Sequence, residues 1–221
     1  PRLGEGLNRS GKLRETAVER PVAAVGRVNE RLDSLGVKKY RCVGTEALRK
    51  AKNAGFFLQR VKKETGLTVT VLSGQEEARL IRDGAVADFD LSARKTVLAD
   101  IGGGSTEVIR PKKNGATDFT SFPLGCVRLT EEFVPEGKDA PVPEKKIRRY
   151  CLEILKSRLE PAGDDSNLIG LGGTFTTLAA IKLELEPYRG EIVHGTVLSA
   201  AEIEKILRRL SALPSSRRGE I

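Results

Sequence analysis

The chain has 221 residues, 39% of them hydrophobic and 31% charged, which is the balance of an ordinary globular protein. No apolar run approaches the roughly 18 residues that span a bilayer and no leader pattern opens the chain, so a cytoplasmic protein without a membrane partner is expected. The net charge of +8 biases the surface toward polyanions, yet aromatics are only 5%, Trp is absent, and no Lys/Arg run alternates with aromatics as a stacking platform for single strands requires; nucleic acid is not an expected partner.

In chain order, "LRETAVERPVAAVGRVNERLDSL" repeats apolar residues at helical spacing (Val25, Val28, Leu32, Leu35), with Pro21 kinking the helix or starting its second half. "KYRCVG" predicts a short strand, and Thr45 a cap for the helix "EALRKAKN". A further helix follows in "GFFLQRVKKETG", ended by Gly66, and then a β-branched strand in "LTVTVLS". "GQEEARLIRDGAV" reads as a helix, "KTVLADI" and "TDFTSFPLG" as strands, "CVRLTEEFV" and "EKKIRRYCLEILKSRL" as helices. "NLIGLG" reads as a buried strand, and helices follow in "TFTTLAAIKLEL" and "AAEIEKILRRLSAL". The alternation predicts an α/β fold with a largely parallel sheet. The polar loop near residues 88 to 94 divides the chain into expected domains 1–90 and 91–221, and "PEGKDAPVPEKK" reads as a surface loop inside the second. Cys42, Cys126 and Cys151 lack any Cys-x-x-Cys spacing and are expected to be reduced, buried thiols.

"VLADIGGGSTEVIR" holds three consecutive glycines between two strand-forming stretches. No Gly-Lys-Ser/Thr and no following helix make it a P-loop, and no Gly-x-Gly-x-x-Gly opens a helix. It reads as a tight hairpin, with Asp100 ending the first arm and Ser105, Thr106 and Glu107 on the return. Such a turn is either a plain glycine bulge or a concave set of N–H donors for an anion, with Asp100 placed to hold a divalent cation against phosphate oxygens. In "LIGLGGTFTTLAAI" a second loop runs from a strand into Gly172 and Gly173, and Thr174 opens a helix. This is a phosphate seat at a helix N-terminus or an ordinary threonine cap. Two such loops in one basic chain favour phosphate.

Of the acids in "SGQEEARLIRDG", Glu76 has Ser-x-x-Glu spacing from Ser73, a capping box, and can pair outward with Arg79. Glu77 begins a stripe with Leu80, Ile81 and Gly84, so it should point inward or into a cleft, with no obvious cationic partner. It is either a general base or a first-turn acid that offsets the helix dipole. Arg49 faces solvent or reaches a phosphate. The lone His194 has no nucleophile motif near it and reads as structural or superficial.

In this order, "RLGEGLNRSGKL", "EALRKAKN", "VLSGQEEARLI", "DIGGGSTE", "PLGCVRLTE", "GLGGTFTTLAAI" and "HGTVLS" resemble the exopolyphosphatase and guanosine pentaphosphate phosphohydrolase family over nearly the whole chain. The resemblance implies two ribonuclease-H-like lobes of the actin-like, sugar-kinase-like type, an active site in the interdomain cleft, Mg²⁺, and commonly a homodimer. It implies removal of terminal phosphate from polyphosphate or pppGpp. By position, Glu77 matches the acid that activates the attacking water, and Asp100 and Glu107 match acids at the metal and water site. Gly102, Gly103, Gly104, Ser105 and Thr106 match a phosphate loop, and Arg49 an arginine near the phosphate chain; Gly172, Gly173 and Thr174 stand as the further phosphate loop read above. The family also opens with an Asp-x-Gly-Ser/Thr-Asn-Ser/Thr hairpin, and the first lobe of this chain is expected to lack it. An ATP-dependent kinase or ATPase of the same superfamily, or a catalytically silent polyphosphate-binding module, are the alternatives.

Overall fold

A computed structural model describes residues 3–89, 95–111, 117–135, 142–161, 163 and 166–220. The chain divides into two compact units, with the division after Phe89. Residues 90–94 of the expected boundary loop, and 136–141 of the expected surface loop, lie outside the described residues.

The first unit contains α1 (Leu7–Ser10), α2 (Glu15–Ser34), β1 (Cys42–Gly44), α3 (Glu46–Lys50), α4 (Ala54–Thr65), β2 (Val69–Val71) and α5 (Gly74–Asp88). β1 and β2 pair in parallel, Cys42 opposite Val69 and Gly44 opposite Val71, with α3 and α4 forming the crossover. Leu7, Leu13, Val18, Val22, Leu48, Phe57, Val61 and Leu67 fill the core. Two hydrogen bonds tie its beginning to the α3–α4 junction: Leu13 N–H donates to Asn53 Oδ1 at 2.7 Å, and Asn53 Nδ2 donates to the Leu13 carbonyl at 3.0 Å.

Two helical stripes differ from expectation. α2 runs unbroken through Pro21, and its buried residues are Ala17, Val18, Pro21 and Val22, whereas Val28 and Leu35 are 56% and 60% exposed. In α5 the buried residues are Ala78 and Ala85, and Leu80 is exposed. Both helices carry more apolar residues than one face holds, and the neighbouring elements select which are covered. Thr45 precedes α3, but its side chain makes no capping bond. Gly66 does end α4, in the left-handed conformation that glycine adopts without a Cβ clash.

The second unit contains β3 (Lys95–Ile101), β4 (Thr106–Pro111), β5 (Thr117–Phe122), α6 (Cys126–Phe133), α7 (Glu144–Lys156), β6 (Ser166–Leu171), α8 (Gly172–Lys182), α9 (Gly190–Val193), α10 (Ala200–Ser211) and a 3-10 turn at Ser215–Glu220. The sheet order is β5-β4-β3-β6. Short connections make β3–β4 and β4–β5 antiparallel, and only β3–β6, joined through α6 and α7, is parallel. The described sheet is therefore mixed rather than largely parallel. β6 is its edge strand, with Leu168 63% exposed, and not the buried strand that its apolar run suggested. Val108, Phe122 and Leu124 form a core against Leu129 of α6 and Tyr150, Ile154 and Leu155 of α7. Phe122 is fully buried, a contribution of about 1.5–3 kcal/mol. Cys126 is exposed, and Cys42 and Cys151 are half-buried free thiols whose pKa values burial raises. No helix among the described residues is long and apolar enough to cross a membrane.

Candidate functional site

β3 and β4 form the expected hairpin, Ile101 opposite Thr106, with the glycine turn at its tip. None of Gly102, Gly103 and Gly104 has a left-handed φ, so backbone conformation is not what requires them. Close approach is. A side chain at Gly125 would lie 2.3 Å from the Gly103 carbonyl oxygen and 2.4 Å from the carbonyl carbons of Gly103 and Gly104. The turn rests on the start of α6, where Cys126 N–H donates to the Gly102 carbonyl at 3.0 Å and Val127 and Arg128 N–H donate to the Gly103 carbonyl at 2.8 and 3.0 Å. The turn thus caps α6, satisfying helix N–H groups that would otherwise lack acceptors. Gly102 N–H closes the turn onto the Ser105 carbonyl at 2.9 Å, while among the described residues the amides of Gly103 and Gly104 donate to no internal acceptor. The Gly102 and Gly103 carbonyls are committed to α6, whereas the amides of Gly103 and Gly104 are not committed to the hairpin or the helix.

The second glycine loop leaves the sheet beside the first, because β3 and β6 are parallel with Asp100 opposite Leu171. Gly172 begins α8 with φ +80°, and a Cβ there would fall 2.3 Å from Asp100 Oδ1. Thr174 Oγ1 donates to the Ile101 carbonyl at 3.1 Å, fastening α8 to the end of β3. Gly173 faces open space. Asp100 is half-buried, and among the described residues its carboxylate accepts no hydrogen bond and joins no ion pair. Burial raises its pKa above the usual carboxylate range.

The helix start that would seat a phosphate therefore already has a carboxylate against it. An ionised carboxylate there would repel a second anion unless a cation lay between them, and a hard carboxylate oxygen suits Mg²⁺, which binds through one or two carboxylates, phosphate oxygens and water. No cluster of three or more His, Cys, Asp or Glu side chains that could hold a metal occurs among the described residues, so an all-protein cage of the zinc kind is not what this donor set resembles.

Glu107 lies opposite Asp100 on β4, on the same face of the sheet, and is 3% exposed. Ser121 of β5 sits opposite Glu107, and its Oγ donates to Glu107 Oε1 at 2.8 Å. Thr106 belongs to the other face: its buried hydroxyl donates to the Leu124 carbonyl. That hydroxyl holds the hairpin to the chain leading into α6. Ser105 is buried as well.

In the first unit, Ser73 and Glu76 form the capping box: Glu76 N–H donates to Ser73 Oγ at 3.2 Å and Ser73 N–H to Glu76 Oε2 at 2.8 Å. The Ser73 bonds lower the Glu76 pKa. Arg79 pairs with Asp83 at 3.8 Å, not with Glu76, whose carboxylate serves the cap. Glu77 borders the buried stripe of Ala78 and Ala85, and contrary to expectation it has a cationic partner. Arg49 Nη1 donates to Glu77 Oε2 at 2.6 Å and to the Leu72 carbonyl at 2.9 Å. The Arg–Glu pair is partly buried, with side chains 23% and 15% exposed.

The expected residues therefore form two groups, one in each unit. Arg49 and Glu77 are joined in the first; Asp100, the turn from Gly102 to Glu107, and Gly172 to Thr174 are gathered at one end of β3 in the second. His194 is exposed at the end of α9, as expected. Sequence reading missed Gly125 and Ser121. Gly125 stands directly before a helical pattern and carries a detectable signal; Ser121 becomes visible only once the β4–β5 register is known.

The sequence pattern of the Ppx/GppA phosphatase family matches residues 1–221. A guanosine-5'-triphosphate,3'-diphosphate pyrophosphatase of Photobacterium profundum is 34% identical over 82% of this chain and 37% of its own length. Exopolyphosphatase 2 of Mycobacterium tuberculosis is 28% identical over 100% of this chain and 71% of its own. The crystal structure of the Aquifex aeolicus Ppx/GppA family member superposes with a TM-score of 0.74 at 32% identity, covering 99% of this chain and 70% of that one. The chain spans about a third of the length of the first curated relatives it matches, 31% and 37%.

Proposed function

The chain belongs to the Ppx/GppA phosphatase family, and from that premise we propose that it hydrolyses terminal phosphoanhydride bonds of inorganic polyphosphate or pppGpp with Mg²⁺, releasing orthophosphate. The observation that carries this reading is Asp100: a half-buried carboxylate without a partner among the described residues, set against the start of α8 and beside the glycine turn. Relatives named for pppGpp and for polyphosphate support the substrate class.

Asp100 and Glu107 are the residues that would hold Mg²⁺, which supplies charge neutralisation on the phosphate oxygens. The amides of Gly103 and Gly104, with the start of α8 at Gly172 and Gly173, would bind and orient the terminal phosphate. Glu77 would take the proton of the attacking water at Oε1, the oxygen not used by Arg49, as the new P–O bond forms and the bond to the leaving phosphate breaks. Arg49, anchored on the Leu72 carbonyl, orients that carboxylate. Little covalent work falls to the protein, because in-line phosphoryl transfer rests on positioning and charge. A homodimer is part of the proposal and is measured by sedimentation.

The test is phosphate release from long-chain polyphosphate, pppGpp and ATP, with and without Mg²⁺, for the wild type and Glu77→Gln. Turnover should fall by about 10²–10⁴ in the variant while substrate binding persists. Equal turnover in the variant removes Glu77 from the mechanism. Phosphoryl transfer to an acceptor other than water, or tight binding without release, replaces hydrolysis with a kinase or a binding module.

A further inference from the structure

We propose that Ser121 is a positioning residue for Glu107, an inference that rests on the reading of Glu107 as an acid of the metal and water site. The pairing registers set Asp100, Glu107 and Ser121 opposite one another across β3, β4 and β5, a row of three polar side chains on one face of the sheet. Within the row, Ser121 Oγ donates to Glu107 Oε1 at 2.8 Å.

Burial alone does not orient a glutamate. Its terminal torsion is broad, and 3% exposure does not by itself decide which oxygen faces which neighbour. A donor on the adjacent strand selects one orientation. That donor is itself immobilised: Phe122, the next residue, is fully buried in the core, and slipping β5 by one position would put Phe122 on the face now held by Ser121. Ser121 further accepts Arg158 Nη1 at its carbonyl, 3.5 Å away, and the Arg158 guanidinium lies 5.9 Å from the centre of the Phe122 ring. The hydroxyl is thus carried on a strand locked by its neighbours, as suits a group whose work is to aim another.

The bland alternative is a serine that only satisfies a buried oxygen. The two readings part in Ser121→Ala and Ser121→Thr, made in the full chain and compared with Glu107→Gln. A positioning role predicts that Ser121→Ala lowers kcat about 10-fold or more with KM changed less than about twofold, and that Ser121→Thr, which keeps the hydroxyl, restores kcat to within about threefold. Mn²⁺ alone, titrated by electron paramagnetic resonance without substrate, should bind about 10-fold more weakly to Ser121→Ala and normally to Ser121→Thr.

Wild-type kcat and Mn²⁺ affinity in Ser121→Ala overturn the inference, and so do equal losses in the alanine and threonine variants. If Glu107→Gln is inactive while Ser121→Ala behaves as wild type, only the positioning role fails. If Glu107→Gln turns over normally, the reading of Glu107 fails with it.

Discussion

The two glycine loops leave the same end of the second unit's sheet, yet the glycine that each fold site demands is set by a different cause. At Gly172 the backbone itself demands it: φ is +80°, and Asp100 Oδ1 occupies the place of a Cβ. In the turn at Gly102 to Gly104 no left-handed φ occurs, and the glycine that contact demands is its neighbour Gly125, where a Cβ would meet the carbonyl groups of Gly103 and Gly104 beside the first amides of α6. Repetition of one residue type therefore does not identify one device. The second loop is built around a carboxylate, the first around a helix end.

Substitutions separate these causes. The largest loss is expected from Gly172→Ala, which combines a left-handed φ worth about 1–2 kcal/mol with a clash on Asp100; activity should fall by about 10²-fold, and denaturant titration should show the fold weakened. Gly125→Ala comes next. Its φ of −118° suits alanine, so the cost is contact alone, about 1–3 kcal/mol because the atoms met are backbone, and it should appear as a lower melting temperature together with weaker phosphate binding.

Asp100→Asn should act in the opposite direction on stability. Burial raises the folded pKa of Asp100, so the folded state holds that proton more tightly than the unfolded chain does. The associated stability is present below about pH 4, the ordinary carboxylate value, and is lost as pH rises through the raised one. At neutral pH the variant should melt above the wild type while losing turnover, and the difference should vanish in acid. Mg²⁺ should narrow the gap by stabilising only the wild type. The smallest effect is expected for Gly173→Ala: no atom lies within 4 Å of the new methyl group, the amide is kept, and helix propensity favours alanine by up to about 1 kcal/mol. Normal turnover with a slightly higher melting temperature checks that the backbone, not the missing side chain, is what this position offers.

What could be read from the sequence was local. The Ser73–Glu76 box, the Gly66 stop and the hairpin carrying Asp100 depend on residues within a few positions of one another, and the structure has all three. Stripe assignments on α2 and α5 failed because Val28, Leu35 and Leu80 are as apolar as the residues actually covered. β6 carries a core-like apolar run at a sheet edge, a placement that only strand order decides. Arg49 and Glu77 are 28 positions apart, so their ion pair emerges from folding and not from spacing. The local pattern places Glu107 on the hairpin's return arm and the resemblance supplies its role, while its serine donor emerges only from register.

β3 is paired on both sides, to β4 and to β6, and each neighbour delivers one of the loops. Asp100 consequently cannot move along one partner without moving along the other, so misalignment at either seam would spoil both halves of the cradle together. Warming that frays the tip of this strand would silence the protein while Phe122 and its surroundings still held; loss of turnover should precede the main melting transition.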